Sequence, residues 1–430
     1  MQLIDEFNDK MVLIWGMGLE GKSTLAYLKK HLPGQLIYIS DRKEPELGDY
    51  EVFVPEDKID FDAYDIIMKA PGIEVKDENI RKKVTGQAAL FLKYYGDRTI
   101  GITGTKGKST TTSLMYHILQ TAGIKSFLVG NIGIPCFNCV DEIDEDTWIA
   151  FEVSCHQLEV SEYAPHVGVL LNLFEEHLDH YGSYELYKYA KENIYRKQKE
   201  NDIAIINIEL QKSLEECPRA ITAGKGADID HEGKFLMAGS HCLDARECNL
   251  LGEHNYYNAA IDFYIAREIL NIDDEIVKEA LRTFETLKHR LQPVGTFKGV
   301  TYVDDSISTI GQATIQGIKA LKNVQTVLIG GMDRGIDYKD LEAYLMNCKV
   351  EHIIMMYATG KRIYEEMEVV PEGMILVEDL QQAVEKAVEL TKDGICLLSP
   401  AASSYDHFKN FEERGDRFTE WVNYYAKERS

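Results

Sequence analysis

Short apolar segments, each followed by a stretch of helix length, recur along the whole chain. The first series contains MVLIW (11–15), LIYIS (36–40) and DIIMKAPGI (65–73). A second begins at Thr99 and contains SFLVGNIG (126–133), WIAFEVS (148–154), VGVLLNL (167–173) and IAIINI (203–208). A third follows Leu287 and contains VTYVDDS (300–306), TVLIGG (326–331), EHIIMMYA (351–358) and GICLLSP (394–400). Strands spaced by helices pair in parallel through βαβ units, so we predict an α/β fold with parallel sheets.

The restarts of this pattern divide the chain into three predicted domains, residues 1–95, 96–287 and 288–430. A chain of 430 residues exceeds one ordinary hydrophobic core, which supports division into several domains. Its composition, 45% hydrophobic and 27% charged, is typical of a soluble globular protein.

The formal charge of −24 argues against binding to nucleic acid or to an anionic membrane surface. The start, MQLIDEFNDK, lacks a basic leader, and no apolar run approaches the roughly 18 residues of a membrane span. Eight cysteines are too sparse for a disulfide framework. We therefore expect a cytoplasmic protein without stable membrane insertion, and we expect a monomer that acts on small molecules.

Two glycine-rich loops follow predicted strands. GMGLEGKS (16–23) has the spacing of a P-loop, whereas GITGTKGKST (101–110) departs from it by one residue. The first loop, however, places Gly16, Gly18 and Gly21 before an acid, Asp41, that ends the next strand. That layout is typical of a dinucleotide-binding fold, so we predict a Rossmann-like N-terminal domain; a purely structural glycine turn is the alternative.

The second loop has the better chemical setting for ATP. Lys108 would reach the phosphates and Ser109 would ligate Mg²⁺ at the start of a helix. A parallel sheet would bring Glu152 beside Ser109 as a further Mg²⁺ ligand, although an exposed strand-end acid is the alternative. His177, after the next strand, is either a site residue or a structural histidine. We therefore predict a central P-loop ATPase-like domain with a parallel sheet.

The same loops belong to a longer ordered series of motifs. The chain carries GMGLEGKS (16–23), APGI (70–73), GITGTKGKST (101–110), GNIG (130–133), EVSCHQLE (152–159), NLFEEHLDHYGS (172–183), YAKENIY (189–195), GEHNYYNA (252–259), KHR (288–290), DDSIST (304–309) and LLSPAASSYDHFKNFEERG (397–415). This series resembles the Mur ligases, the ATP-dependent amino-acid-adding enzymes of peptidoglycan synthesis. The C-terminal motif is specific to their MurD branch, which joins D-glutamate to UDP-N-acetylmuramoyl-L-alanine.

The resemblance implies a UDP-substrate domain, a central ATP domain and a C-terminal dinucleotide-fold-like domain that delivers the amino acid. It implies two steps: the alanyl carboxylate attacks the γ-phosphate of ATP, and the amine of glutamate then displaces phosphate from the acyl phosphate. Because two anions meet in the first step, positioning and stabilisation by cations should dominate catalysis.

The resemblance also implies residue roles. Catalytic roles fall to Lys108, Glu152, His177 and Lys191. Two Mg²⁺ sites are implied, one at Ser109 and Glu152, the other at His177 and a carbamylated Lys191. ATP would contact Gly104, Thr105, Lys106, Gly107, Lys108, Ser109, Thr110, Asn255, Asn258, Arg290 and Asp305. The UDP-linked substrate would contact Gly16, Gly18, Leu19, Gly21, Lys22, Ser23, Asp41, Arg42, Pro71, Gly72, Asn131, Ser154 and Gln157. The amino acid would contact Thr309, Arg334, Ser404, Tyr405 and Phe411.

From the residues alone, several of these positions have ordinary interpretations. Lys191, in a helical pattern, would be a solvated surface lysine, and Arg290 a surface charge. The two asparagines of GEHNYYNA would be helix caps, and Ser404 would be a cap before core aromatic residues.

The chain departs from the MurD pattern at several positions. Lys106 replaces a common asparagine, Ile307 a common lysine, Phe174 a threonine, Glu176 an aspartate and Arg334 a lysine. We hypothesise that Lys106 partly replaces the charge missing at Ile307.

Four alternatives to D-glutamate ligation are open at this point. The nearest is a related ligase that adds another acidic amino acid such as L-glutamate, or that uses a different carboxylate acceptor. A folylpolyglutamate-synthase-like role gives no reason for a UDP-type first domain. An NAD-dependent oxidoreductase leaves the second glycine loop unexplained. A P-loop kinase or regulatory switch is the fourth.

Overall fold

The computed structural model describes residues 2–248, 253–285 and 288–428, which build three β-sheets with helices between the strands. The first sheet contains β1 (Val12–Trp15), β2 (Ile37–Ser40), β3 (Glu51–Phe53), β4 (Ile66–Lys69) and β5 (Val84–Thr85). These strands are all parallel, in the order β3-β2-β1-β4-β5. Its helices are α1 (Leu19–His31), α2 (Glu78–Arg81) and α3 (Gln87–Tyr95).

The second sheet contains β6 (Thr99–Thr103), β7 (Ser126–Gly130), β8 (Trp148–Glu152), β9 (Val167–Leu170), β10 (Ile203–Asn207), β11 (Ile221–Ala223), β12 (Ile229–Glu232), β13 (Phe235–Ala238) and β14 (His241–Asp244). The order is β14-β13-β12-β11-β10-β9-β6-β8-β7, and only the β12–β13 and β13–β14 pairs are antiparallel. Its helices are α4 (Lys108–Thr121), α5 (Cys155–Leu158), α6 (Leu178–Tyr181), α7 (Tyr184–Arg196), α8 (Gln211–Glu216), α9 (Glu253–Tyr264) and α10 (Asp274–Thr283).

The third sheet contains β15 (Gln292–Phe297), β16 (Val300–Asp304), β17 (Val324–Ile329), β18 (His352–Met355), β19 (Met374–Leu376) and β20 (Gly394–Leu398). The order is β15-β16-β20-β17-β18-β19, and only the β15–β16 pair is antiparallel. Its helices are α11 (Gly311–Ala320), α12 (Lys339–Asn347), α13 (Tyr357–Glu366), α14 (Leu380–Leu390) and α15 (Phe411–Val422).

The predicted α/β architecture is confirmed, because every apolar segment of the three series contains a strand. The strands β3, β5, β11–β15 and β19 lie outside the predicted segments. Among them, β12–β14 are patchily buried, and β12 and β14 mix polar with apolar residues, so neither strand nor helix periodicity stands out.

The described residues form two units. Residues 2–248 and 255–284 form one, and residues 253, 254, 285 and 288–428 form the other. Within the first unit one hydrophobic cluster contains side chains of the first two sheets, and the rings of Phe91 and Phe151 meet edge to face at 5.9 Å. The third sheet has its own apolar clusters. The domain limits stay predictions, and Leu287 lies outside the described residues. Among the described helices, none has both the length and the apolar character needed to span a bilayer.

Candidate active site

The loop between β6 and α4 is shaped by glycine. Gly104 and Gly107 have φ angles of 153° and 86°, a region that side chains disfavour. A Cβ at Gly107 would also lie 3.1 Å from the side-chain amide of Asn258 on α9. α4 begins directly at Lys108, whose ammonium donates to the Thr105 carbonyl at 3.0 Å. The loop therefore presents a helix N-terminus and a lysine, the arrangement that binds phosphate.

The segment after β9 holds this loop in place, a contact that the sequence did not predict. The Asn172 side chain accepts from Lys106 N at 2.8 Å and donates to Lys106 O at 3.0 Å, while Asn172 O accepts from Thr105 N at 3.0 Å. Thr105 Oγ1 also lies 2.8 Å from the Tyr187 hydroxyl. The only signal in the sequence was a polar residue at a strand end. Two-sided bonding of this kind pre-organises the loop.

Glu152 ends β8, as predicted, and β8 pairs with β6 in the register Ile102 to Glu152. Its carboxylate is fully buried, and Oε1 accepts from Asn131 Nδ2 at 2.8 Å. Among the described residues, Oε2 has no hydrogen-bond partner. A buried carboxylate oxygen left over beside a phosphate loop fits a cation ligand, so the residues present suit Mg²⁺ at Glu152 and Ser109.

Lys191 is not the surface lysine that its helical pattern predicted. It is 2% exposed, because α7 packs its inner face on the phosphate loop. Its ammonium donates to the Gly104 carbonyl at 2.8 Å and lies 5.0 Å from the centre of the Tyr187 ring. Burial, with a smaller effect of the Lys108 charge, lowers the pKa of Lys191 to about 7. Lys191 is therefore a buried amine at the phosphate loop.

His177 belongs to a cluster of aromatic rings. It adopts φ of 55°, which is uncommon for a non-glycine residue, although histidine tolerates it better than most. Its ring lies 4.8 Å from His156, which in turn lies 4.5 Å from His180, both edge to face. Burial, then the charges of the two neighbouring histidines, lowers the pKa of His156 to about 4. The sequence motifs did not single out His156 or His180.

The first glycine loop is a tight strand-to-helix turn. A Cβ at Gly21 would overlap the carbonyl oxygen of Gly16, and one at Gly16 would lie 2.6 Å from the Cβ of Ala70. Ser23 is buried and bonds Asn138 at 2.7 Å, so its hydroxyl is committed to the protein. Leu19, in contrast, is 81% exposed. These features fit the dinucleotide-fold layout better than a P-loop.

The side chains predicted around the UDP-linked substrate fall into two groups. Asp41 accepts from Met17 N at 2.6 Å and so fixes the glycine loop; with Arg42 it also lines a groove of about 570 Å³. Ser154 and Gln157 form a capping box at α5, and Gln157 Nε2 donates to Glu20 Oε1 at 2.7 Å. Both groups lie in the first unit, and their ligand contacts stay predictions.

In the second unit, Asp305 is buried and bonded inward rather than exposed. Its carboxylate accepts from Ser308 at 2.6 Å and Ser399 at 2.8 Å, and burial raises its pKa to about 6. Arg414, which the motifs did not assign, is fully buried and donates to Ser306 O at 2.8 Å and Ala402 O at 2.9 Å. It thereby links the loop of Asp305 to the loop that precedes Ser404.

The other predicted residues of the second unit differ in exposure. Ser404 is buried, Tyr405 is 70% exposed, and Arg334 is exposed. Phe411 begins α15, and its carbonyl accepts from Ser306 Oγ at 2.8 Å. The predicted ATP residues are divided between the units, since Asn255 and Asn258 lie in the first and Arg290 and Asp305 in the second.

Comparisons with known proteins agree with this architecture. The family model described as "Mur ligase middle domain" matches residues 102–266. The chain is 31% identical to the UDP-N-acetylmuramoylalanine–D-glutamate ligase of Clostridium kluyveri over 447 residues, covering 96% of each chain. It is 29% identical to the protein of that name from Streptococcus agalactiae, covering 97% of this chain and 98% of that one.

Solved structures share the fold. The MurF ligase of Thermotoga maritima in complex with ADP aligns over 99% of this chain and 98% of its own, with a TM-score of 0.63 at 17% identity. The MurC ligase of the same organism aligns over 96% and 99%, with a TM-score of 0.61 at 19% identity. The chain therefore belongs to the Mur ligase family of ATP-dependent ligases. Within that family, the curated relatives reported above carry the name UDP-N-acetylmuramoylalanine–D-glutamate ligase.

Proposed function

We propose that this protein joins D-glutamate to UDP-N-acetylmuramoyl-L-alanine in the cytoplasm, as a monomer and with ATP. The observation that carries the proposal is the set of side chains at the phosphate loop: Lys108, buried Lys191, and buried Glu152, whose Oε2 has no hydrogen-bond partner in the described part of the chain. The names of the full-length relatives support the choice of substrates.

In the first step, an alanyl carboxylate oxygen attacks the γ-phosphorus of ATP and ADP leaves. Lys108 and the α4 N-terminus balance the phosphate charge, and the Asn172 bonds keep the loop fixed while charge redistributes. In the second step, the neutral amine of glutamate attacks the acyl carbon, the amide C–N bond forms, and phosphate departs as the amine loses a proton.

Two cation sites are proposed beside the loop. Ser109 and Glu152 would hold one Mg²⁺, and His177 with a carbamylated Lys191 would hold the second. Carbamylation would turn the amine into an anion, and the burial of Lys191 against Gly104 supports a position for that anion beside the phosphates. When bound, Mg²⁺ would neutralise charge on the phosphate oxygens.

The remaining proposed contacts are those of the UDP-linked substrate, the nucleoside part of ATP and the amino acid. The turn at Gly16–Ser23 and the loop 70–73 would hold the UDP diphosphate, and the groove at Asp41 and Arg42 the uracil. Asn255 and Asn258 would contact adenine, with Arg290 and Asp305 nearer the ribose and phosphates. Thr309, Arg334, Ser404, Tyr405 and Phe411 would hold the amino acid, with Arg334 supplying the cation that a dicarboxylate requires.

The substrate dependence of ATP cleavage tests this proposal. We expect ADP and phosphate to appear only when UDP-N-acetylmuramoyl-L-alanine and an acidic amino acid are both present. Phosphate release without the amino acid would favour a kinase or a switch. Saturable binding of NAD on titration would favour an oxidoreductase. Glu152→Gln should lose activity while retaining the fold, because it removes the cation-ligand charge.

A further inference from the structure

A buried lysine that none of the motifs includes lies beneath the loop 70–73. Lys69 is the last residue of β4, and its side chain is 0% exposed. Its ammonium donates to three carbonyl oxygens of the loop, those of Ala70 at 3.2 Å, Pro71 at 3.3 Å and Ile73 at 2.8 Å. The three N–H donors of the ammonium are shared among these carbonyls and a carboxylate described below, and they fix the backbone of the loop.

The fourth partner of this ammonium is a carboxylate from the segment that follows α5, one of the helices of the second sheet. Glu159 Oε1, directly after α5, lies 2.9 Å from Lys69 Nζ. Glu159 Oε2 lies 3.0 Å from His180 Nε2 on α6, the helix that begins immediately after His177. The Glu159 side chain is only 8% exposed, so the contact is shielded from water. One carboxylate therefore joins the loop 70–73 to the segment that carries His177.

The loop 70–73 also forms a wall of the first glycine turn. A Cβ at Gly16 would lie 2.6 Å from the Cβ of Ala70 and 2.9 Å from the Cδ1 of Ile73, so side chains of the loop pack directly on the backbone of the turn. Any shift of the loop would change the shape of that turn. In addition, carbonyl oxygens that accept from Lys69 are drawn toward a cation, which lowers their repulsion of a nearby anion.

We propose that Lys69 is a positioning residue for the UDP-diphosphate site: it holds the loop 70–73 in shape and, through Glu159 and His180, fixes that loop to the segment of His177. The inference rests on the proposed function, because it takes the loop 70–73 to bind the UDP-linked substrate. A purely structural role would instead stabilise the fold without favouring one ligand.

Calorimetric titration with UDP-N-acetylmuramoyl-L-alanine and, separately, with Mg–ADP distinguishes these roles. The variants are Lys69→Met, Glu159→Gln and the double variant, which removes both charges and so avoids one buried unpaired ion. Lys29→Met is the control. Lys29, on α1, forms a 2.6 Å ion pair with Glu51 of β3, and β2 and β1 separate that strand from β4, which precedes the loop.

We expect Lys69→Met and the double variant to bind the UDP-linked substrate about tenfold more weakly, the lower end of the effect of removing an outer-shell partner at a metal site. Their Kd for Mg–ADP should stay within about twofold, as should both Kd values of Lys29→Met. Glu159→Gln, which leaves Lys69 in place, should weaken the UDP-linked substrate about threefold. It is the deciding variant if Lys69→Met does not fold.

Equal weakening of both ligands, or an unchanged Kd for the UDP-linked substrate, would overturn the inference. Failure of the proposed function gives a different result, because the unaltered protein would then not bind UDP-N-acetylmuramoyl-L-alanine at all.

Discussion

The ammonium of Lys106 forms an ion pair with the carboxylate of Glu176. Both residues depart from the MurD pattern, so two of the unusual positions contact each other. Their side chains are 37% and 21% exposed, and such a pair adds at most about 1 kcal/mol to stability. Its importance lies in charge at the phosphate loop, since Glu176 offsets part of the positive charge that Lys106 adds. The hypothesis that Lys106 replaces a charge missing at Ile307 stays a prediction.

Lys106→Asn should weaken ATP binding several-fold, because Glu176 is left as an uncompensated negative charge near the phosphates. Lys106→Asn with Glu176→Gln should recover most of the affinity. The measurement is the Kd of a non-hydrolysable ATP analogue at low and high salt, where the difference should shrink as salt screens the charges. Equal losses in the single and double variants would contradict this account.

Gly21→Ala should lower the free energy of unfolding by about 1–3 kcal/mol, since its Cβ would overlap the Gly16 carbonyl oxygen. It should also weaken binding of the UDP-linked substrate. Gly18→Ala is the matched control in the same turn, because no atom of the residues that the structure describes lies within 4 Å of a Cβ at this position. Chemical denaturation of the two variants provides the comparison. A Gly21→Ala variant with an unchanged free energy of unfolding would show that the turn can make room for a Cβ beside the Gly16 carbonyl oxygen, which would contradict this account.

Stability should depend on pH through His289. Its Nδ1 lies 2.7 Å from Asp304 Oδ2, and this hydrogen bond raises the pKa of the imidazole, with Asp416 and Glu412 also favouring the charged form. The folded pKa exceeds the unfolded value of 6.5, so the added stability is full below pH 6.5 and is lost as pH rises through the raised pKa.

His289→Asn should remove this dependence. Asparagine tolerates the φ of 62° at this position, which makes it the least disruptive replacement. Between about pH 6 and pH 9 the melting temperature of the unaltered protein should fall by a few degrees more than that of the variant. Parallel curves for the two proteins would exclude a contribution from His289.

Lys191 should carry a carbamate. Its lowered pKa, about 7, leaves much of the amine neutral near physiological pH, and only the neutral amine reacts with CO₂. In ¹³C-bicarbonate, NMR should detect a carbamate carbonyl resonance that is absent from Lys191→Arg. Lys188→Arg, on the same helix, is the control and should keep the resonance. If Lys191→Arg retains it, the carbamate lies elsewhere.

The strands around the phosphate loop could be predicted, because apolar segments and glycines report directly on backbone geometry. The strand-end position of Glu152 followed from its place in the segment WIAFEVS, whereas the order in which the strands pair was not predicted. The burial of Lys191 was not predicted either, since the pattern of α7 does not reveal that its lysine packs on Gly104. Lys69 and Arg414 were missed for a related reason. A buried charge is recognisable only when its tertiary partners are known, and those partners are distant in sequence.

The central claim is that the chain joins D-glutamate to UDP-N-acetylmuramoyl-L-alanine. The most direct test incubates the protein with that substrate, Mg–ATP and either D- or L-glutamate, and follows both phosphate release and product mass. The account predicts phosphate release and addition of one glutamyl residue with D-glutamate, and neither with L-glutamate. Absence of any product above background with D-glutamate, or product formation from L-glutamate alone, would contradict it.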